Sequence, residues 1–383
     1  MATLFTVNAG SSSIKLAVFE RLGGALKRSR LVVLDRLGTD ERSMEVDGVP
    51  VGAAGDSTPA TLVADWLEAN ALSGLEAVGH RVVNGLGRTF TERVTPELLT
   101  ALRALRALDA EHLPLELSVM ETLLTRHPAL PQFACYDSEF HRELPRVATL
   151  LPIPRAFEAQ GVRRYGFHGL SFASLMHQLH DTGDAHGRVL LAHLGNGASL
   201  AAVRDGHVLD TSMGFTPNSG LMMGTRSGDL DPGVVAWLGP ATGQGAAKVL
   251  DVLTHDSGMK GVSQTSGDVR ALLALESTDV RAKEALELFC YQARKWLGAF
   301  IAVLGGLDTL VFSGGIGENA PELRARICEQ LSYVGVELRS SANLANAALI
   351  SSGRVSVRVL HTDESLMLAQ SVERALDARV TPW

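Results

Sequence analysis

His193-Leu194-Gly195-Asn196-Gly197-Ala198-Ser199, taken with the run from Asp210 to Asp231, organises this chain. An apolar strand, Val189 to Leu194, runs into the first stretch, and a second, Leu200 to Val203, leaves it. Between them two glycines, an Asn and a Ser form a turn with no bulky side chain in front of its backbone N–H groups. Such a turn suits a phosphate chain. Next comes Gly220-Leu221-Met222-Met223-Gly224-Thr225-Arg226-Ser227-Gly228-Asp229-Leu230-Asp231-Pro232, a glycine-punctuated loop with one Arg and two carboxylates. Together they predict a nucleotide held by the first loop and charge presented to it by the second.

The same pattern occurs near the start of the chain. Leu4 to Val7 reads as a strand, Asn8-Ala9-Gly10-Ser11-Ser12-Ser13 as a tight polar turn, and Ile14 to Phe19 as a second strand that begins beside Lys15. Two strand–turn–strand units with Asn, Gly and Ser in similar order suggest one β-hairpin used twice, once per half; two unrelated hairpins are the alternative. A third glycine stretch, Ser313-Gly314-Gly315-Ile316-Gly317-Glu318-Asn319, follows the strand Leu310 to Phe312. It reads as a glycine loop at a strand-to-helix junction, another candidate nucleotide contact.

Residues 36–58 are polar and glycine-rich and read as a surface excursion of short strands. Helical spacing covers Thr61 to Leu72, Pro96 to Leu108, Pro114 to Arg126, Ser171 to His180 and Ala282 to Leu304, with further helices from Pro232, Pro321 and Ser365. Ala77 to Val83 is a strand carrying His80 and Arg81. Phe133 to Tyr136 is a strand that delivers Asp137 at its C-terminal end, a favoured place for chemistry in open α/β sheets. Val355 to Leu360 delivers Thr362-Asp363-Glu364 in the same way. Pro145, Pro152 and Pro154 mark a change of domain near residues 138–155.

With 383 residues the chain can build two cores. At 46% hydrophobic and 20% charged residues it is neither disordered nor fibrous in composition. The net charge of −7 excludes a general basic surface, so no nucleic-acid partner is expected. Cys135, Cys290 and Cys328 lack metal-like spacing, and a sparse, odd count fits a reducing compartment. The first residues carry no basic, apolar leader, and no apolar run reaches membrane-spanning length. A soluble cytoplasmic protein without a membrane partner is the expectation.

The motifs together resemble the acetate kinase family. The resemblance lies in Asn8 to Lys15, Gly79-His80-Arg81-Val82-Val83, Arg164-Tyr165-Gly166-Phe167-His168-Gly169, His193 to Gly197, Asp210 to Pro217, Gly220 to Pro232 and Gly315 to Asn319. They span nearly the whole chain in the family's order. The resemblance implies an α/β fold of two ribonuclease-H-like domains, of the actin-like ATPase superfamily, with a nucleotide cleft between them. Residues 1–140 with 366–383 would form the first domain and residues 141–365 the second. It implies reversible transfer of a phosphoryl group from ATP to a short carboxylate, acetate by resemblance, with Mg²⁺ or Mn²⁺, in a homodimer. Carried over residue by residue, Asn8 and Glu364 would serve the metal. Lys15, His193, Leu194, Gly195, Asn196, Gly197, Asp268, Val269, Arg270, Gly315, Ile316, Gly317, Glu318 and Asn319 would hold the nucleotide. Arg81 would bind the acceptor, with Val83, Phe167 and Pro217 at apolar pocket positions. His168 and Arg226 would face the phosphoryl in transit. Asp137 matches the family's acid/base position, but a carboxylate acceptor is already ionised at neutral pH and needs no base. Asp137 therefore reads better as a group that orients an Arg or hydrated Mg²⁺.

The departures from the family cluster around the acyl group. Asn84 stands where the family has His, and Ala110-Glu111-His112-Leu113-Pro114 where it has Pro-Leu-His-Asn-Pro. Leu170-Ser171-Phe172 replaces Thr-Ser-His, and Asn218-Ser219 replaces Leu-Glu or Leu-Asp. Glu111 thus falls at a methyl-pocket position, where a buried unpaired carboxylate would be costly. Either Glu111 turns away, or it pairs with Arg81 or His112, or the acceptor is another short acid such as propionate, butyrate or a substituted one. A nucleotide-binding member without transfer activity is the non-enzymatic alternative.

Overall fold

The computed structural model describes residues 2–10, 13–37, 39, 41–52, 57–70, 72–243 and 245–377. Ser11 and Ser12 of the first turn, residues 38, 40 and 53–56 of the polar excursion, and residues 378–383 of the expected first domain lie outside them. The chain forms two compact units, residues 1–142 with 363–383 and residues 143–362.

Unit 1 is built on eight strands: β1 (Thr3–Ala9), β2 (Ile14–Leu22), β3 (Ala25–Asp35), β4 (Ser43–Val46), β5 (Val49–Gly52), β6 (Leu75–Val82), β7 (Glu92–Arg93) and β8 (Gln132–Tyr136). Their order is β5-β4-β3-β2-β1-β6-β8-β7. Strands β1 to β5 pair antiparallel in succession, while β6 lies parallel to β1, and β8 to β6. Helices α1 (Pro59–Asn70), α2 (Pro96–Arg103) and α3 (Leu113–Arg126) belong to this unit. Phe5, Val7, Leu16 and Val32 form its core with Val63 and Leu67 of α1 and Val119 and Leu123 of α3. Trp66 lies parallel over Phe5, ring centroids 5.7 Å apart. The helix from Glu364 to Leu376 packs on β1 and β6. Gly79 permits that approach, because a Cβ there would lie 2.6 Å from a methyl of Val372.

Helix α2 is shorter than its apolar stripe predicts. Thr95 caps its first turn, accepting from the Leu98 N–H at 3.2 Å. The helix then gives way after Arg103 to i→i+3 turns, Leu105 N to Leu102 O and Leu108 N to Leu105 O. The stripe Leu98-Leu102-Leu105 survives that change, since a tighter turn keeps i and i+3 on one face. Strand β3 gave no sequence signal because the residues from Ala25 to Arg30 are mostly exposed and polar.

Unit 2 contains α4 (Arg146–Thr149), α5 (Arg155–Glu158), α6 (Gly169–Thr182), β9 (Arg188–Leu194), β10 (Ala198–Arg204) and β11 (His207–Thr211). After these come α7 (Pro232–Thr242), α8 (Ala246–His255), α9 (Gly258–Ser263), α10 (Val269–Leu275) and α11 (Val280–Leu304). The unit ends with β12 (Thr309–Ser313), α12 (Gly314–Asn319), α13 (Pro321–Cys328), α14 (Ser340–Leu344) and β13 (Ser356–Val359). Its sheet runs β11-β10-β9-β12-β13, with two antiparallel pairs followed by two parallel ones. The central part of unit 1, β3-β2-β1-β6-β8, has the same order and the same strand senses. The duplicated hairpin is therefore half of a duplicated five-stranded sheet. Among the described residues, no helix is long and apolar enough to cross a membrane.

Candidate functional site

Three neighbouring parallel strands of unit 1 end at one edge and deliver Asn8 (β1), Arg81 (β6) and Asp137 (after β8). The terminal helix begins there with Glu364. Arg81 donates to Asp137 through two parallel bonds, Nε to Oδ1 at 3.0 Å and Nη2 to Oδ2 at 2.6 Å. Its Nη1 donates to Asn8 Oδ1 at 3.2 Å, and Asn8 Nδ2 donates to Glu364 Oε2 at 2.7 Å. Four of the expected site residues thus form one chain of hydrogen bonds. Burial works against the Arg81 charge, but the Asp137 and Glu364 carboxylates outweigh it and hold the pKa above the ordinary guanidinium value. Of the five N–H groups of a guanidinium, these bonds use three and leave one on each terminal nitrogen. Lys15 stands opposite Asn8 across the β1–β2 hairpin and is exposed.

Glu111 is half-buried and engaged, so it is not an isolated buried charge. His112 is held by Asp109, whose Oδ1 lies 2.9 Å from Nδ1 and accepts the His112 N–H at 3.1 Å. The deeply buried acid is Glu116, one turn into α3, whose Oε1 accepts the Val83 N–H at 3.1 Å. Leu113, Val83 and Asn84 are buried beside this stretch, and Leu170 is buried at the start of α6 in unit 2.

In unit 2 the hairpin turn between β9 and β10 meets two other loops. His168 adopts φ +57 before α6, and its Nδ1 lies 2.8 Å from Ser199 Oγ. The rings of His168 and His193 are 4.7 Å apart, and His193 Nδ1 is 3.3 Å from Ser313 Oγ. A Cβ placed on Gly197 would be 3.4 Å from His168 Nε2 and 3.5 Å from Arg226 Nη1. These two nitrogens therefore converge on the glycine turn. Arg226 also donates to the carbonyl of Pro217 at 3.4 Å, while Phe167 is buried.

The two carboxylates of the Gly220–Pro232 loop each hold backbone of their own stretch. Asp229 closes the loop by accepting the Gly220 N–H at 2.8 Å, and Asp231 caps α7 through the Gly233 N–H at 2.6 Å. Arg164, at the head of the Phe-His-Gly motif, donates to the carbonyls of Ala148 and Thr211 and so fixes the chain on either side of the site.

A cavity of about 600 Å³ in unit 2 is lined by Gly195, Asn196, Asp268, Val269, Arg270, Gly315, Ile316 and Asn319, with Gly267, Leu273 and Ala320. Eight expected nucleotide residues thus share one cavity. Leu194, Gly317 and Glu318 stand behind it, and Lys15 belongs to unit 1. Asp268 caps α10 through the Arg270 N–H at 2.8 Å and also pairs with the Arg270 side chain at 2.7 Å. The stretch after Ser313 is not an open loop but the short helix α12. Gly314 makes the strand-to-helix turn with φ +76, where a Cβ would meet the Leu194 carbonyl at 2.7 Å.

Sequence reading missed the support behind α12. Arg324 is fully buried, and its donors all meet oxygens: Asn343 Oδ1 and O, Asn346 Oδ1, and the carbonyls of Gly317 and Glu318, at 2.6–3.0 Å. At the other end, Glu318 Oε1 accepts the Gly314 N–H at 2.9 Å. Nothing in the sequence of α13 marks Arg324, because its acceptors are mostly backbone carbonyls.

Comparison with known proteins adds a family. The acetokinase family profile matches residues 3–370. The acetate kinase of Rhodopseudomonas palustris is 44% identical, with 98% of each chain covered. The propionate kinase of Citrobacter rodentium is 38% identical, covering 97% of this chain and 96% of that one. Among solved structures, a propionate kinase from Francisella tularensis matches with a TM-score of 0.88 at 30% identity, covering 97% of this chain and 99% of that one. The acetate kinase of Porphyromonas gingivalis matches with a TM-score of 0.86 at 31% identity, covering 98% and 100%.

Proposed function

This chain belongs to the acetokinase family, and from that premise we propose that it transfers the γ-phosphoryl group of ATP to a short-chain carboxylate, giving ADP and an acyl phosphate. The acceptor oxygen forms a bond to the γ-phosphorus as the bond to the β–γ bridging oxygen breaks, and no proton needs to move. Such a transfer depends on positioning and on neutralising the phosphoryl oxygens.

The observation that carries the proposal is the convergence of His168 Nε2 and Arg226 Nη1 on the Gly197 turn. With Nδ1 accepting from the Ser199 hydroxyl, Nε2 carries the ring proton and donates alongside the Arg226 guanidinium to the phosphoryl oxygens. Arg81 anchors the acceptor carboxylate through the N–H groups that Asp137 and Asn8 leave on its two terminal nitrogens. Asp137 is a positioning residue that fixes the plane of the Arg81 fork. The cavity of unit 2 holds the nucleotide, with the Gly195–Gly197 backbone toward its phosphates.

Mg²⁺ fits the donor set at Asn8 and Glu364. One carboxylate and one amide suit an ion that keeps several waters and shares its coordination with phosphates. When bound, Mg²⁺ supplies charge neutralisation on the β- and γ-phosphates. The protein acts in the cytoplasm, where its three free cysteines stay reduced. A homodimer fits the exposed apolar side chains Val234, Val235 and Trp237 of α7, with Leu250 on the neighbouring α8.

The test is to incubate the protein with ATP, Mg²⁺ and a panel of short carboxylic acids and to trap acyl phosphate with hydroxylamine. Acyl hydroxamate from at least one acid is the expected result. Nucleotide binding without product from any acid overturns the proposal. A preference for propionate or a longer acid over acetate is the second reading, favoured by the departures at Asn84, Leu113 and Leu170.

A further inference from the structure

The buried acids around Arg81 have no part in the transfer described so far. Glu116 is 2% exposed and Asp109 4%. Each uses one carboxyl oxygen, on Val83 and on His112 respectively. Their other oxygens, Glu116 Oε2 and Asp109 Oδ2, are buried and have no hydrogen-bond partner among the described residues, as is the Nδ2 of Asn84. The Val83 N–H that Glu116 holds lies two residues beyond Arg81, at the exit of β6. Glu116 is therefore built into the wall of the acceptor site.

We propose that Glu116 is a positioning residue that sets acceptor specificity: as an uncharged carboxylic acid it fixes the Val83 backbone and lets the Arg81 site admit one, and only one, further negative charge. This rests on the reading of Arg81 as the acceptor anchor.

The charge count supports the uncharged state. Glu116, Asp137 and Glu364 act on a single guanidinium, Asp109 adds its charge to Glu116, and the acceptor brings another carboxylate. Burial, followed by the Asp109 charge, lifts the Glu116 carboxyl well above the ordinary range, and Arg81 only partly opposes this. Among the described residues, the elements packed on α3 bring no cation to Glu116 besides Arg81. On α1, Asp65 and Glu68 are paired with Arg126, and Glu68 also with His127. On α2, Arg103 is paired with Glu121, and Glu97 is exposed in its first turn. On β6, His80 is buried against Gln132 and its pKa is pushed down to about 4, while Glu76 lies at the far end of the strand. His112 is held by Asp109. Once ionised, Glu116 would repel the acceptor and compete for Arg81. Acceptor binding should weaken as pH rises, and dicarboxylates should be poor acceptors throughout.

The experiment measures acceptor KM, MgATP KM and kcat from about pH 6 to about 9, a range in which a short acid stays ionised. It compares wild type, Glu116→Gln and Asp109→Asn, with product trapped as hydroxamate. In wild type the acceptor KM should rise with pH, approaching about tenfold per unit above the break, while MgATP KM stays level. Glu116→Gln keeps the Val83 contact, stays uncharged, and should give a level acceptor KM. Asp109→Asn weakens the field on Glu116 and should move the break to lower pH. It also provides the test if Glu116→Gln does not fold. The inference is overturned if wild-type acceptor KM does not depend on pH, if Glu116→Gln follows the wild-type profile, or if MgATP KM rises in step with acceptor KM. No hydroxamate from wild type with any acid would instead overturn the anchor reading itself.

Discussion

Replacing Arg324 with Lys tests whether the nucleotide wall depends on a buried clamp. The Arg324 side chain ties the last carbonyls of α12 to Asn343 and Asn346 through five hydrogen bonds, with no exposed surface. Lysine has three N–H donors, so at least two of the five acceptors lose their partner. A buried acceptor left without a partner costs about 1–3 kcal/mol, which puts the loss at about 2–6 kcal/mol. That is a large share of a typical domain's stability of about 5–15 kcal/mol, but the chain should still fold. Two of the five acceptors are the carbonyls of Gly317 and Glu318, in the same short helix as Gly315, Ile316 and Asn319 of the cavity. If ordering this wall takes about 1.4 kcal/mol from binding, MgATP KM rises about tenfold while acceptor KM holds. Urea unfolding gives the first quantity and steady-state kinetics with each substrate varied gives the second. An unchanged urea midpoint with unchanged MgATP KM would refute the clamp. Equal rises in both KM values would show general loosening and remove its link to the nucleotide wall.

Three further outcomes follow from other parts of the molecule. His80 is buried and its pKa falls from 6.5 to about 4, so between those values the unfolded chain binds the extra proton. Stability from this group is complete above pH 6.5 and is lost as pH falls toward 4, by about 3 kcal/mol; His80→Gln should flatten that part of the urea midpoint profile, and an identical profile would exclude His80 as its source. Asp137→Asn removes one partner of the buried Arg81 pair, which should lower stability by about 3–5 kcal/mol, and by loosening the Arg81 fork it should separately lower acceptor kcat/KM at least about a hundredfold. Full activity of that variant at saturating Mg²⁺ would show that Asp137 orients neither Arg81 nor hydrated metal. Trp237, 70% exposed on α7, should be part of the dimer contact; light scattering should find Trp237→Glu monomeric with an unchanged circular dichroism spectrum, and a wild-type mass would place the contact elsewhere.

The legible part of the fold was the part encoded locally. The turns at Asn8 and Asn196 combine small residues between apolar runs, and that pattern reports a hairpin wherever it occurs. Its double occurrence pointed to a repeated unit, and the five-stranded sheet of unit 2 and the central five strands of unit 1 both run antiparallel, antiparallel, parallel, parallel. Strand β3 escaped because half of it faces water, and the end of α2 escaped because an i, i+3 stripe fits a tighter turn equally well. The two carboxylates of the Gly220–Pro232 loop were misread for a related reason. Asp beside Gly signals a turn as readily as a charge, and Asp229 and Asp231 serve as turn and cap.

The site residues divide along the same line. In the proposed function Arg226, His168 and the glycine turns meet a phosphoryl group of fixed shape, so short motifs describe them. The acids around Arg81 come from residues far apart in sequence, Glu116, Asp137 and Glu364, and on the proposal above their charge sets acceptor choice. Sequence directed attention to Glu111 because it fills a position in a motif, yet Glu111 is half-buried and engaged. Glu116 sits five residues further on, one turn into α3, where the spacing reads only as a polar residue in an amphipathic run. Glu111 left three readings open: turned away, paired with Arg81 or His112, or facing an acceptor other than acetate. On the proposal that Glu116 stays uncharged behind Val83, the expected acceptor is a plain monocarboxylate whose binding weakens with rising pH.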